Sequence, residues 1–153
     1  KGQVVAGVVY DPAKDEMFFA EKGAGAWMNE SRLRVSGRSR MIEAIFATGI
    51  PYAAKNTLPA TLKDFAKLMP EGAGVRRWGA ASLDLAYVAA GRFDGYWERE
   101  LKLWDIAAGY LIALEAGALV DGVRAGQDPL ESGSLLCANN AIFDGFAKII
   151  REV

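Results

Sequence analysis

The chain has 153 residues, 18 basic and 19 acidic side chains, a formal net charge of −1 and 52% hydrophobic content. That apolar content excludes disorder as the main state, and a chain of this length can bury roughly two-thirds of its unfolded surface, as one domain or one domain plus part of another. The balanced charge argues against a nucleic-acid binder that works by neutralising phosphates, the absence of histidine excludes Ser-His-Asp, Cys-His and His-metal chemistry, and the single Cys137 excludes an intrachain disulfide or a Cys-rich metal centre.

The chemistry left open uses carboxylates, Lys, Arg, Tyr or Ser, or a hard cation held by oxygen ligands. No apolar run reaches the roughly 18 residues of a membrane span, and no signal-peptide pattern is visible, so a cytoplasmic protein away from membranes is expected.

Val4 to Tyr10 is a β-rich run, Asp11-Pro12-Ala13-Lys14-Asp15 carries turn chemistry, and Met17 to Ala20 resumes a strand, which predicts a hairpin. Gly23-Ala24-Gly25 interrupts, Trp27-Met28 continues, and Leu33 and Val35 alternate with Arg32, Arg34 and Ser36 as in a half-exposed edge strand. Ala44–Ala47 is a short apolar run before Thr48-Gly49-Ile50-Pro51. Leu58, Leu62, Phe65 and Met69 mark one face of a helix that starts at Pro59 and stops at Pro70-Glu71-Gly72. Further on, the pattern predicts strands at 75–78, 93–98, 118–120 and 135–138. It predicts helices at 80–90, 105–116 and 142–150, with Gly91 and Gly117 as stops and Asn139 or Asn140 as a cap. Residues 121–133 read as a polar loop. The fold class is α/β (α+β): an antiparallel β-region over residues 1–40, then a β/α region over 41–153 with an at least partly parallel sheet, the two sharing one continuous structure.

Three segments can carry chemistry. Gly79-Ala80-Ala81-Ser82 opens a helix with small residues, which either allow close packing or let an anion or hydroxyl reach the free amides. Asp105, at the start of the next helix, is either a cap or a metal ligand aimed at the sheet edge where open α/β folds bind ligands. Glu98 ends a strand seven residues earlier, either solvated or placed to accept a polyol hydroxyl. Arg76, Arg77, Arg92, Glu100 and Lys102 read as surface charges, Asp84 as paired with a basic neighbour on its helix, and Cys137 as a core residue. Glu115 is unfavourable near a helix C-terminus and so calls for a specific partner.

LWDIAAGYLIALEAG resembles the second signature of the inositol monophosphatase family, and RRWGAASLDLAYVAAGRFDGYWE resembles the run that precedes it. GVVYDP, EMFFAEKGAGAWMN and ATGIPY also match in order and spacing, so the resemblance covers nearly the whole chain, nearest to the bacterial extragenic-suppressor type. It implies the layered αβαβα sugar-phosphatase fold and a lithium-sensitive, Mg²⁺-dependent, homodimeric phosphatase acting on a small phosphorylated polyol. In that pattern Asp105 binds the metal and substrate, Glu98 binds a substrate hydroxyl, and Gly79, Ala80 and Ala81 line the substrate. Relatives of this kind act on inositol monophosphate, fructose 1,6-bisphosphate, 3′-phosphoadenosine 5′-phosphate, NADP or histidinol phosphate. The suppressor type is also linked to RNA polymerase and antitermination factors. Leu103, Ala118 and Ala80 depart from the usual Pro, Gly and Ser or Thr. The family's first signature, D-P-x-D-G-T, is absent, since Asp11-Pro12 continues differently. The resemblance therefore implies the C-terminal portion of a longer enzyme, inactive alone and with apolar sheet and helix surface exposed.

Overall fold

The computed structural model describes residues 2–50 and 56–151. Strands β1 (Ala6–Asp11), β2 (Glu16–Glu21), β3 (Gly25–Met28) and β4 (Ser31–Arg32) form an antiparallel meander in chain order. A second sheet contains β5 (Ile45–Thr48), β6 (Gly74–Arg76), β7 (Gly95–Glu98), β8 (Leu119–Gly122) and β9 (Leu135–Ala138), in the order β6-β5-β7-β9-β8. Its β6, β5 and β7 are parallel, while β9 runs antiparallel to both β7 and β8. The helices are α1 (Leu58–Leu68), α2 (Ala81–Ala89), α3 (Leu103–Glu115), the short α4 (Pro129–Ser132) and α5 (Phe143–Arg151).

The alternation along β7 and β9 explains the layering. Tyr96, Leu135 and Cys137 point into one core with α2, α3 and the first sheet, and Trp97, Leu136 and Ala138 into another with α1 and α5. A sheet covered on both faces needs strands apolar at every position, as both of these are but for Glu98. The result is sheet, helix pair, sheet, helix pair. On the outer side of the first sheet, Val8, Tyr10 and Met17 stay 45–59% exposed, in keeping with the expected apolar surface.

Gly91 and Gly117 end α2 and α3 as expected. Each has positive φ, and the amides that follow bond back to Tyr87 and Ala113. Asp94 is fully buried and accepts bonds from Ile45 N (2.7 Å), Arg38 Nη1 (3.1 Å) and Ser36 Oγ, which pins residues 36–45 to the second sheet.

Four expectations need correction. The edge strand expected over 32–36 is instead the two-residue Ser31–Arg32, because the Val35 amide bonds to the Ala116 carbonyl rather than to a strand. The loop at 121–133 contains the end of β8 and the capped turn α4, whose first amides bond to Asp128. Helix α1 forms, but its inward face differs: Thr61, Asp64 and Leu68 are buried while Leu62 and Met69 are more than half exposed. Asp64 faces in because it accepts Trp97 Nε1 (3.1 Å) and pairs with Arg99. Arg92 is not a free surface charge, since it makes a two-pronged pair with Glu16 (2.6 and 2.7 Å) over the Tyr87 ring.

Candidate active site

The C-terminal ends of the parallel strands β5 and β7 and the starts of α2 and α3 meet around one cleft of about 570 Å³. Its walls include Gly79, Ala80 and Ala81, together with Glu98 and Asp105. All five candidate residues of the sequence therefore converge at the edge where open α/β sheets bind ligands. Ser82 of the same segment lines it too, as do Gly49, Ile50, Arg77, Glu100 and Trp104, which sequence patterns alone did not single out as site residues. Pro51 and Tyr52 of the ATGIPY motif lie outside the described residues.

Gly79 turns the chain with φ +99°, a conformation glycine adopts without strain. Ala80 stands at the N-cap of α2 with extended backbone, and no side chain caps the helix. The first in-helix bond runs from the Asp84 amide to the Ala80 carbonyl (2.9 Å), so the earlier amides remain open for an oxygen ligand.

Helix α3 begins at Leu103, so Asp105 lies inside its first turn rather than at its first position. Asp105 Oδ2 accepts the Lys102 amide at 2.9 Å, which is the capping arrangement. Capping uses one oxygen, and Oδ1 makes no hydrogen bond among the described residues, so the capping reading holds without engaging the second oxygen.

Glu98 is not a solvated strand end; it is 7% exposed. Tyr96 donates its hydroxyl to Oε2 at 2.5 Å, and a Cβ at Gly49 would fall 2.1 Å from the same oxygen. Burial raises the Glu98 carboxyl, and the Asp105 charge adds to this, against the Tyr96 hydrogen bond and Arg77.

Asp84, on α2, contradicts the expected pairing with a basic neighbour. It is 1% exposed and neither carboxyl oxygen has a hydrogen-bond partner among the described residues. Burial first, and the Glu98 charge second, push its pKa up to about 7, with Arg77 opposing. Helical spacing could not reveal this, because the face of α2 that carries Asp84 is covered from other parts of the chain. Cys137 is buried as expected, and burial pushes its thiol well up, so it is no nucleophile.

Against this geometry, the whole chain, residues 1–153, matches the profile of the inositol monophosphatase family. The chain belongs to that family. It is 48% identical over 153 residues to the inositol-1-monophosphatase of Rhizobium meliloti (strain 1021), covering all of this chain and 56% of that protein. It is 44% identical to the Nus factor SuhB of Pseudomonas aeruginosa PAO1, covering 99% of this chain and 56% of that one. The crystal structure of the extragenic suppressor protein suhB from Bartonella henselae superimposes with a TM-score of 0.93 at 42% identity, over 99% of this chain and 59% of that chain. The chain thus spans little more than half the length of these relatives. Its two sheets and helix layers are those of the inositol monophosphatase fold, as the resemblance implied.

Among the described residues no group of three Asp, Glu, Cys or His side chains is placed to hold a metal ion, and no helix is long and apolar enough to cross a membrane.

Proposed function

We propose that this chain supplies the substrate-side wall of a Mg²⁺-dependent phosphatase for small phosphate monoesters, with inositol monophosphate as the leading substrate. The observation that carries this reading is the convergence of Asp105, Glu98 and the uncapped start of α2 on one cleft.

The donor set suits a hard cation in kind. Mg²⁺ takes oxygen ligands, often one or two carboxylates with waters and substrate phosphate completing the shell. Asp105 would hold it through the oxygen that capping leaves free. One carboxylate is too few, and the reading assigns the remaining ligands to the part of a family-length protein outside this chain. The chain alone is therefore expected to be inactive.

A Mg²⁺ held there would supply water activation, polarisation of the phosphoryl group and stabilisation of the leaving oxygen. The chain's own residues bind and orient. The open amides at Ala81 and Ser82 offer donors to substrate oxygens, and the α2 dipole favours negative charge there. Ala80 has no hydroxyl to add to them. Glu98 accepts a hydroxyl of the alcohol moiety, which favours a polyol over a plain alkyl phosphate. Arg77 at the cleft contributes positive potential toward an anionic substrate.

The test joins intact mass with phosphate release from inositol 1-phosphate, using the family-length protein. Turnover that EDTA removes, Mg²⁺ restores and Li⁺ inhibits supports the reading. A panel with fructose 1,6-bisphosphate, 3′-phosphoadenosine 5′-phosphate, NADP and histidinol phosphate ranks the substrates. Absence of turnover on all of them overturns it.

A second reading has support in the Nus factor name of the Pseudomonas relative. In it the protein binds RNA polymerase or antitermination factors without catalysis. A pull-down that retains neither, beside robust phosphatase activity, rejects it. Light scattering tests the homodimer that the family resemblance implies.

A further inference from the structure

Tyr96 is fully buried, and its hydroxyl has Glu98 Oε2 as its hydrogen-bond partner. A phenylalanine would fill the same space without desolvating a hydroxyl, so that oxygen has a purpose only through the carboxylate it touches. The Gly49 backbone closes the other side, since a Cβ there would lie 2.1–2.3 Å from both Glu98 oxygens. The carboxylate is thus held between a hydroxyl and a backbone wall. Oε1 makes no hydrogen bond among the described residues, and Glu98 lines the cleft.

We propose that Tyr96 is a positioning residue that sets substrate specificity: by occupying Oε2 it fixes the Glu98 carboxylate so that Oε1 accepts one hydroxyl of a polyol phosphate. The inference rests on the phosphatase reading above and adds to it the group that selects the alcohol moiety. The Tyr96 hydrogen bond favours the accepting carboxylate form, against the burial that raises the Glu98 carboxyl.

The test is Tyr96→Phe in the family-length, Mg²⁺-loaded protein. Two substrates are compared: inositol 1-phosphate, which has hydroxyls beside the phosphate, and p-nitrophenyl phosphate, which has none. The expected result is a roughly tenfold fall in the ratio of their kcat/KM values, the worth of one ordinary hydrogen bond, carried by the KM for inositol 1-phosphate. An unchanged ratio, with both substrates losing equally or neither losing, overturns the proposal and leaves Tyr96 a packing residue. If the wild-type protein hydrolyses neither these two substrates nor any of the panel above, the phosphatase reading fails, and the positioning role is read from the crystal structure of the variant. A rotated Glu98 carboxylate then upholds positioning, and an unmoved one overturns it.

Discussion

Gly109 on α3 lies so close to Leu85 on α2 that a Cβ at residue 109 would stand 2.7 Å from the Leu85 Cβ and 3.1 Å from the Ser82 carbonyl oxygen. The small residues of the WDIAAG stretch are therefore spacers. They let α3 approach α2 on one side and the first sheet on the other, where a Cβ at Gly7 would meet the Ala108 backbone at 2.9 Å. The same close approach brings the starts of α2 and α3, and with them Ala81 and Asp105, to one cleft.

Gly109→Ala should therefore destabilise the chain even though alanine is the better helix former. The clash is with atoms at or near the backbone, so relief requires the helices to part. Overpacking of this kind costs roughly 1–3 kcal/mol, and the intrinsic helix gain of about 1 kcal/mol offsets only part of it. Urea unfolding followed by circular dichroism measures the difference; equal midpoints would show that the helices separate freely.

Glu115 has the specific partner its unfavourable place demanded. Its two oxygens accept the amides of Gly23 (2.8 Å) and Gly25 (2.9 Å) in the β2–β3 turn. Glu115→Gln keeps the shape but offers one acceptor oxygen and no charge. The expected loss is roughly 1 kcal/mol, or about 2–4 °C in Tm, with faster hydrogen exchange at the two glycine amides. Unchanged exchange there would remove Glu115 from the turn.

Asp84 gives stability a pH dependence. Its folded pKa of about 7 lies above the ordinary aspartate value of 3.8, so between about pH 4 and pH 7 the native state binds more protons than the unfolded state. Stability from this group is full below the unfolded pKa and is lost as pH rises through the folded one, a few kcal/mol in order of magnitude. Asp84→Asn should flatten that slope. Thermal melts from pH 4 to pH 8 in EDTA would show it, and parallel curves for the two proteins would contradict the burial argument.

On the proposed phosphatase reading, Asp105 caps α3 and also binds the metal, and a conservative change separates the two roles. Asp105→Asn retains an oxygen that can accept the Lys102 amide, so the Tm should fall by no more than a few degrees. The anionic metal donor disappears, and Mg²⁺-dependent phosphate release by the family-length protein should be abolished. Wild-type turnover in a folded variant would remove Asp105 from the mechanism.

Local chemistry was sufficient for much of this protein. Asp11-Pro12 and Gly23-Ala24-Gly25 place the turns of the first sheet, Gly91 and Gly117 stop α2 and α3, and apolar runs mark β9 and all of β7 but Glu98, because each signal acts within a few residues of itself. The WDIAAG and GAASLDLAYVAAGRFDGYWE runs pointed to Asp105, Glu98 and the start of α2, and all of them reach one cleft. Tertiary structure decided what depends on distant partners. Asp64 turns α1 inward because Trp97 and Arg99 wait for it. Glu115 meets amides some 90 residues earlier in the chain. Asp84 is left without a donor among the described residues, and Glu98 is held between Tyr96 and Gly49, only once the layers close over them. A helical period shows which residues share a face; which face is buried, and against what, is settled only when remote strands and helices pack.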